Sequence, residues 1–251
     1  MTKPQIGWLL ADWPAPTNIH AGTSLRHPGA SSIPYDSLNL AHHVEDDSAA
    51  VMANRQRLIT ELGLPGEPAW LEQTHSIEVV DASQIEGVPK ADAAYAHQAG
   101  TVCVVMTADC LPVLMTNHQG SIVAATHAGW RGLVDGILEA TLNQSGLVPA
   151  ETLAWFGPGI GAEVYEVGDE VRQAFLKYPM HDETPFVPHG DGKYLMDMYA
   201  LARQRLNAAG VTAIYGGSAC TYSQPDDFFS YRRDGVTGRM ASLIWMSSSN
   251  E

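Results

Sequence analysis

Short, continuous apolar runs alternate along this chain with stretches of helical periodicity. The runs at 69–82, 101–106, 111–116, 121–129, 152–158, 211–217 and 240–246 have the length and composition of strands. DDSAAVMANRQRLITELGLPG (46–66) has helical spacing through Val51, Arg55 and Leu58, with Asp47 or Ser48 as cap and Gly63 to Pro65 as the stop. The same spacing returns at 131–146 through Leu133, Ile137 and Leu138 before a Gly, at 169–178, and at 197–210. Residues 20–45, rich in Gly, Ser, Pro, Asn and His, read as irregular loop. Strands and helices are interspersed without strict alternation. That predicts an α+β fold with mixed β-sheets packed with flanking helices, not a doubly wound parallel sheet. No internal repeat or linker divides the chain, so 1–251 is expected to be a single domain, with 247–251 a disordered tail.

One run breaks its own pattern. VVMTADCLPVLM (104–115) is otherwise almost wholly apolar, yet it carries Asp109 and Cys110 at its centre. A buried Cys needs no explanation, but a buried unpaired carboxylate is costly. Pro112 lacks an N–H and marks an edge, a bend or a strand start. The stretch from Thr107 to Pro112 therefore reads as an interruption between two strands that presents Asp109 and Cys110 to a pocket. Three histidines occupy similar settings: His75 in LEQTHSIEVV, His97 in AYAHQAG and His127 in VAATHAGWRG. Each is equally compatible with a hydrogen-bonded structural histidine. Together with Cys110 they allow two chemistries. A Cys–His pair can act as nucleophile and base. Two His and one Cys can also hold zinc with a fourth position open. The spacing has no short ligand pair such as C-x-x-C, so the residues by themselves leave both open.

Charge narrows the partners. The chain has 28 acidic and 14 basic residues, a formal net charge of −14, which argues against nucleic acid or an anionic membrane surface. Three Cys and no dense spacing argue against a secreted disulfide scaffold. No run approaches the ~18–20 apolar residues that span a bilayer. A cytoplasmic protein, monomeric or a small homo-oligomer, is expected. Within so acidic a chain the arginines of FFSYRRDGVTGR (228–239) stand out. An anion clamp by one of Arg232, Arg233 or Arg239, or by Arg26 in the Gly/Ser/Pro-rich loop, competes with an exposed hairpin of solvated arginines. FGPGIGA (156–162) superficially matches a dinucleotide fingerprint, but Pro158 and the weak helix pattern after it make it a tight turn. There is no G-x-S-x-G, no Walker A loop and no H-E-x-x-H.

THAGWRGLVDGIL, MTADCLPVLM, LEQTH, GPGIG, FFSYRRDGVTGR and LRHPGASSIPYDSLNLAHHVEDD, in that combination, resemble the bacterial YfiH-type proteins, also labelled polyphenol oxidases or laccase-domain proteins. The resemblance implies zinc held at His75, Cys110 and His127, with Asp109 as a supporting or proton-handling group. It implies phosphorolysis of adenosine, inosine, guanosine and methylthioadenosine, with adenosine deamination. On this basis Arg26, Arg232 and Arg233 are expected to hold phosphate and Phe229 or Tyr231 to stack on the base, while Cys103 and Cys220 are structural. The family is also linked to an amidase that removes L-serine from a UDP-linked muramyl precursor, and that alternative uses the same groups. A metal-free Cys hydrolase and a copper polyphenol oxidase are the lesser alternatives. Copper can bind such donors, but ten His with no H-x-H pair do not write a multicopper centre. Leu25, where Thr is frequent, and Ser76, where Gly is common, are the local departures.

Overall fold

The computed structural model describes residues 6–247, so the expected tail lies, apart from Ser247, outside the described residues. In chain order the elements are β1 (Trp8–Leu10), β2 (Ile19–Ser24), α1 (Ser48–Leu62), β3 (Val79–Asp81), β4 (Ala93–Ala96), β5 (Val102–Thr107), β6 (Leu111–Asn117) and β7 (Val123–Ala128). Then follow α2 (Trp130–Asp135), α3 (Ile137–Ser145), β8 (Thr152–Phe156), β9 (Glu166–Gly168), α4 (Asp169–Leu176), β10 (Phe186–Pro188) and β11 (Lys193–Met196). The last four are α5 (Met198–Ala208), β12 (Ala213–Gly216), α6 (Tyr231–Asp234) and β13 (Met240–Met246). Among the described residues, no helix is long and apolar enough to cross a membrane.

The strands form a four-stranded sheet, β1-β2-β13-β5, a six-stranded sheet, β12-β8-β6-β7-β4-β3, and a small three-stranded sheet, β10-β11-β9. In the six-stranded sheet β12 runs parallel to β8 and β3 to β4, while the other pairs are antiparallel. The fold is α+β with mixed sheets, as the interspersed pattern predicts. The two larger sheets pack face to face through a layer rich in small side chains, including Ala21, Cys103, Val105 and Ile244 from one and Ala94, Leu114 and Ala125 from the other. The outer face of the four-stranded sheet is covered by α1, where Leu58 meets Val102, Val104 and Leu243. The outer face of the six-stranded sheet carries Leu133, Ile137, Leu138, Leu201 and Leu206 of α2, α3 and α5. Strands β5, β6, β7 and β13 are therefore buried on both faces, which is why they read as continuous apolar runs instead of alternating ones.

Several expectations shift in detail. Residues 69–82 are not a strand. They make isolated bridges, Ala69 to Cys103 and Glu72 to Lys90, and pair regularly only in β3. The helix expected over 131–146 breaks into α2 and α3 at Gly136, whose φ of 104° no helical residue adopts. The segment from residue 20, expected as loop, begins inside β2. By contrast, α1 starts where Asp47 accepts the Ala49 N–H and ends at Gly63 with φ 60°.

The loop between β2 and α1 is tied down from the helix. Asn54, fully buried on α1, accepts from the Ala30 N–H (2.7 Å) and donates to Ser31 Oγ (2.9 Å) and to the carbonyls of Ser37 (3.1 Å) and Asn39 (2.9 Å). Replacing it by Ala strands buried acceptors. Asn54→Ala is expected to lower unfolding stability by about 2–4 kcal/mol in urea titration, against less than about 1 kcal/mol for an exposed α1 position such as Met52→Ala.

Candidate metal centre

The chain crosses from the four-stranded to the six-stranded sheet in three residues, Ala108 to Cys110, between the end of β5 and the start of β6. So abrupt a crossing puts Asp109 at φ 101°, outside the region ordinary side chains prefer. Three hydrogen bonds hold it there. Oδ1 accepts from the Thr221 hydroxyl (2.6 Å), Oδ2 from the Arg232 N–H (2.7 Å), and the main-chain carbonyl from the Ile160 N–H (2.9 Å). The GPGIG segment thus serves as a brace for this crossing. The Asp109 carboxylate is a buried strut, and its work is to fix Cys110 at the sheet end.

On β7, His127 lies on the same face as Val123 and Ala125, turned toward the opposite sheet, and its register partner is Pro112 on β6. The third candidate, His75, sits in the loop before β3 with φ 61°. Both histidines are positioned by Asp92, a wholly buried residue at the entrance to β4. Asp92 Oδ1 accepts from His127 Nδ1 (2.7 Å) and from the His75 main-chain N–H (3.0 Å). Oδ2 accepts from the Ser76 N–H (2.6 Å), the Ser76 hydroxyl (2.7 Å) and the Thr74 N–H (3.1 Å). These bonds explain why residues 74–76 leave the strand pattern, since their N–H groups are spent on a carboxylate and not on a ladder. Burial pushes the Asp92 carboxyl up, but the hydrogen bonds from His127 and Ser76 outweigh it and hold the group well below the usual carboxylate range.

With Nδ1 bound to Asp92, His127 presents Nε2. Cys110 Sγ is 3.7 Å from His75 Nε2, and one donor atom from each of His75, Cys110 and His127 lies within 4.8 Å of the others. Gly129 makes this convergence possible. A Cβ there would stand 2.5 Å from His75 Cδ2 and 3.1 Å from Cys110 Sγ. Burial opposes charge on the Cys110 thiol, yet the His127 imidazolium and hydrogen bonds from both histidines bring its pKa down to about 6. Burial likewise disfavours the His127 imidazolium, and the Cys110 thiolate and Asp92 raise its pKa to about 9. Each group thus favours the charged form of the other. A divalent ion replaces the imidazolium proton, and the donor set fits one: thiolate, two imidazoles, and an Asp–His support of the kind that accompanies metal-bound histidine.

The donors open into a cavity of 410 Å³ whose wall also includes His43, Gln73, Thr107, Tyr231 and Arg239. A larger cavity of 480 Å³, beside Trp70 and Thr101, contains none of the three donors. The other expected site residues lie variously. Tyr231 is 61% exposed at the cavity wall. Phe229 is fully buried beneath the Arg26 guanidinium (5.2 Å) and has no free face for a base. Arg26 is spent on the Asp36 carbonyl and carboxylate and the Pro225 carbonyl. Arg233 is spent on the Thr221, Tyr222 and Phe228 carbonyls and on Asp234. Arg232 donates to the Glu166 carbonyl (2.9 Å), and its main chain anchors Asp109. None of these three arginines is part of the cavity wall. His97 packs on Tyr95, away from the centre. Cys103 is fully buried with its thiol pushed up by burial, while Cys220 is half-buried and receives the Gly161 N–H (3.2 Å).

A family model described as multi-copper polyphenol oxidoreductase laccase matches residues 20–247. The chain belongs to this YfiH-type family. The purine nucleoside phosphorylase YfiH of Escherichia coli (strain K12) is 50% identical over 242 residues, covering 95% of this chain and 98% of its own. Purine nucleoside phosphorylase PA4543 of Pseudomonas aeruginosa is 48% identical over 240 residues, again 95% and 98%. Among solved structures, NMB0706 of Neisseria meningitidis superposes with a TM-score of 0.93 at 47% identity, over 96% of this chain and 100% of that one. YlmD of Geobacillus stearothermophilus gives 0.90 at 31% identity over 98% of each. The multi-copper description sits poorly with the donors here. Among the described residues, His75, Cys110 and His127 are the one group of three or more His, Cys, Asp or Glu side chains close enough to share an ion.

Asp92 and Asp109 follow the same rule, a carboxylate inside an apolar run. Asp109 stands out in TADCLP, whereas Asp92 in KADAAYA is flanked by alanines and a lysine that do not mark a strand. The role of Asp92 is testable. Asp92→Asn is expected to weaken metal binding about 10- to 100-fold in chelator competition. Gly129→Ala is expected to abolish stoichiometric metal uptake, measured by elemental analysis, while the protein stays folded.

Proposed function

We infer that this chain is a zinc-dependent purine nucleoside phosphorylase acting on adenosine, inosine, guanosine and methylthioadenosine, with adenosine deamination as a second activity at the same centre. The observation that carries the reading is the open-sided His75–Cys110–His127 group at the wall of a nucleoside-sized cavity, in a chain 50% identical to relatives named purine nucleoside phosphorylase. Zinc suits the set because three protein donors with one side open is the catalytic zinc pattern, and a single ion cannot supply the several-electron chemistry of a laccase. When bound, the ion supplies Lewis-acid charge to an oxygen at the open side.

The chain's own residues do the rest. Asp92 fixes the tautomer of His127 and, through the His75 N–H, the approach of His75. The Asp109 strut fixes Cys110. Tyr231, exposed on the wall, is free to cover a purine face. In phosphorolysis an oxygen of hydrogen phosphate bonds to C1′ and the C1′–N9 bond breaks with its electron pair going to the purine. The proton of hydrogen phosphate ends on the base. The products are the free purine and ribose 1-phosphate, or its 5-methylthio derivative from methylthioadenosine.

Metal-defined protein incubated with adenosine is expected to release adenine and ribose 1-phosphate only when phosphate is present, at a rate at least about 100-fold lower for Cys110→Ala. Inosine formed without phosphate reports the deaminase activity. Absence of any nucleoside turnover by zinc-replete protein contradicts the reading.

A further inference from the structure

Arg239 is the arginine the sequence singled out least, and it is the one on the cavity wall. It stands immediately before β13, where its main-chain N–H donates to Asn39 Oδ1 (3.0 Å). Its Nη1 donates to the carbonyls of Thr237 (2.8 Å) and Gly238 (3.0 Å), which aim the guanidinium, and the Tyr231 ring lies 5.9 Å from Cζ. Among the described residues, Nε and Nη2 make no hydrogen bond to protein and no carboxylate forms an ion pair with Arg239. In a chain with 28 acidic residues, a half-buried guanidinium left without one is unusual. The negative groups that act on it most are Cys110 and Asp109. Metal binding neutralises the first, and hydrogen bonds to Thr221 and Arg232 occupy the second.

A second, independent vacancy lies beside it. Thr107 is 2% exposed and belongs to the same cavity wall, and its buried Oγ1 has no hydrogen-bond partner among the described residues. Thr107 pairs with Met240 across β5 and β13, so the orphan hydroxyl and the unpaired guanidinium come from adjoining positions on neighbouring strands. Two free donors on one planar edge match two oxygens of a tetrahedral oxyanion, and a hydroxyl supplies a third donor. A buried hydroxyl without a partner is rare in folded proteins, and a ligand that satisfies Thr107 Oγ1 and reaches the accessible Nε and Nη2 of Arg239 is the direct explanation.

We propose that Arg239 and Thr107 form the binding site for the inorganic phosphate co-substrate, in the same cavity as the metal donors. The proposal rests on the phosphorylase reading and replaces Arg26 and Arg233 as phosphate holders, since their donors are already used, and Arg232, which is not part of the cavity wall. The site takes hydrogen phosphate through Nε, Nη2 and Oγ1.

The test measures binding of inorganic phosphate alone to the zinc-loaded protein by equilibrium dialysis, together with the KM for phosphate and for adenosine. Arg239→Met is expected to weaken phosphate binding and raise its KM roughly 10- to 100-fold, and Thr107→Val roughly 3- to 10-fold, with zinc content and the KM for adenosine little changed. Arg239→Lys keeps the charge without the fork and is expected to fall between wild type and Arg239→Met. Thermal unfolding and elemental analysis confirm that each variant is folded and zinc-replete. Unchanged phosphate binding and KM in such an Arg239→Met protein overturns the site while leaving phosphorolysis intact. Conversely, Arg239-dependent phosphate binding without any nucleoside cleavage upholds the site and removes the phosphorylase reading. A wild-type protein that neither binds phosphate nor uses it overturns both.

Discussion

The 2.7 Å hydrogen bond from His127 to the buried Asp92 carboxylate is the contact on which the rest of the centre depends. A carboxylate with no exposure survives only if every lone pair is used, and Asp92 uses its own on His127 and on three successive residues of the His75 loop. The interaction is therefore reciprocal. The donors stabilise the charge, and the charge fixes one histidine through its ring and the other through its backbone. Ser76 adds a hydroxyl to this set that a glycine at the position could not. Removing the carboxylate frees the loop and the tautomer together.

A second buried carboxylate repeats the device at the other side of the site. Asp109 holds the crossing between the two sheets, and the positive φ it must adopt is sustained by partners from three separate segments: residues 159–161, the loop at 221 and the start of α6. Antiparallel pairing of β6 with β7 sets Pro112 opposite His127 and so brings Cys110 beside it. Pairing of β5 with β13 likewise places Thr107 and Arg239 at one end of the sandwich. Cys110, His127, Thr107 and Arg239 thus lie at strand ends, where rigid backbone meets open space, while His75 comes from a loop.

Much of this was legible in the chain. Doubly buried strands showed as unbroken apolar runs, and the limits of α1 showed as an Asp47 cap and a closing Gly63. Asp109 was visible because nothing apolar about its surroundings could account for it. Other features were hidden for physical reasons. β4 is Ala-rich and lacks the β-branched residues that mark strands, so the apolar-run pattern marks neither it nor Asp92 at its entrance. The extended-looking 69–82 segment is diverted by a carboxylate 16 to 18 residues away in sequence. Adjacent arginines in SYRR suggested a clamp, but the short helix α6 turns Arg233 back onto carbonyls and leaves the cavity to Arg239. Phe229 looked like a stacking platform and is core. Donors separated by 35 and 17 positions carry no local signature, so their convergence shows only in the fold.

His75, Cys110 and His127 offer one ion one thiolate and two imidazoles, with a side left open. X-ray absorption spectroscopy on protein purified without added metal, compared with zinc-reconstituted protein, tests this arrangement most directly. The expected result is a single sulfur at about 2.3 Å and nitrogen or oxygen neighbours at about 2.0–2.1 Å, with no metal–metal scattering and loss of the sulfur shell in Cys110→Ser. A metal–metal vector, or a first shell lacking sulfur in the wild type, contradicts the account.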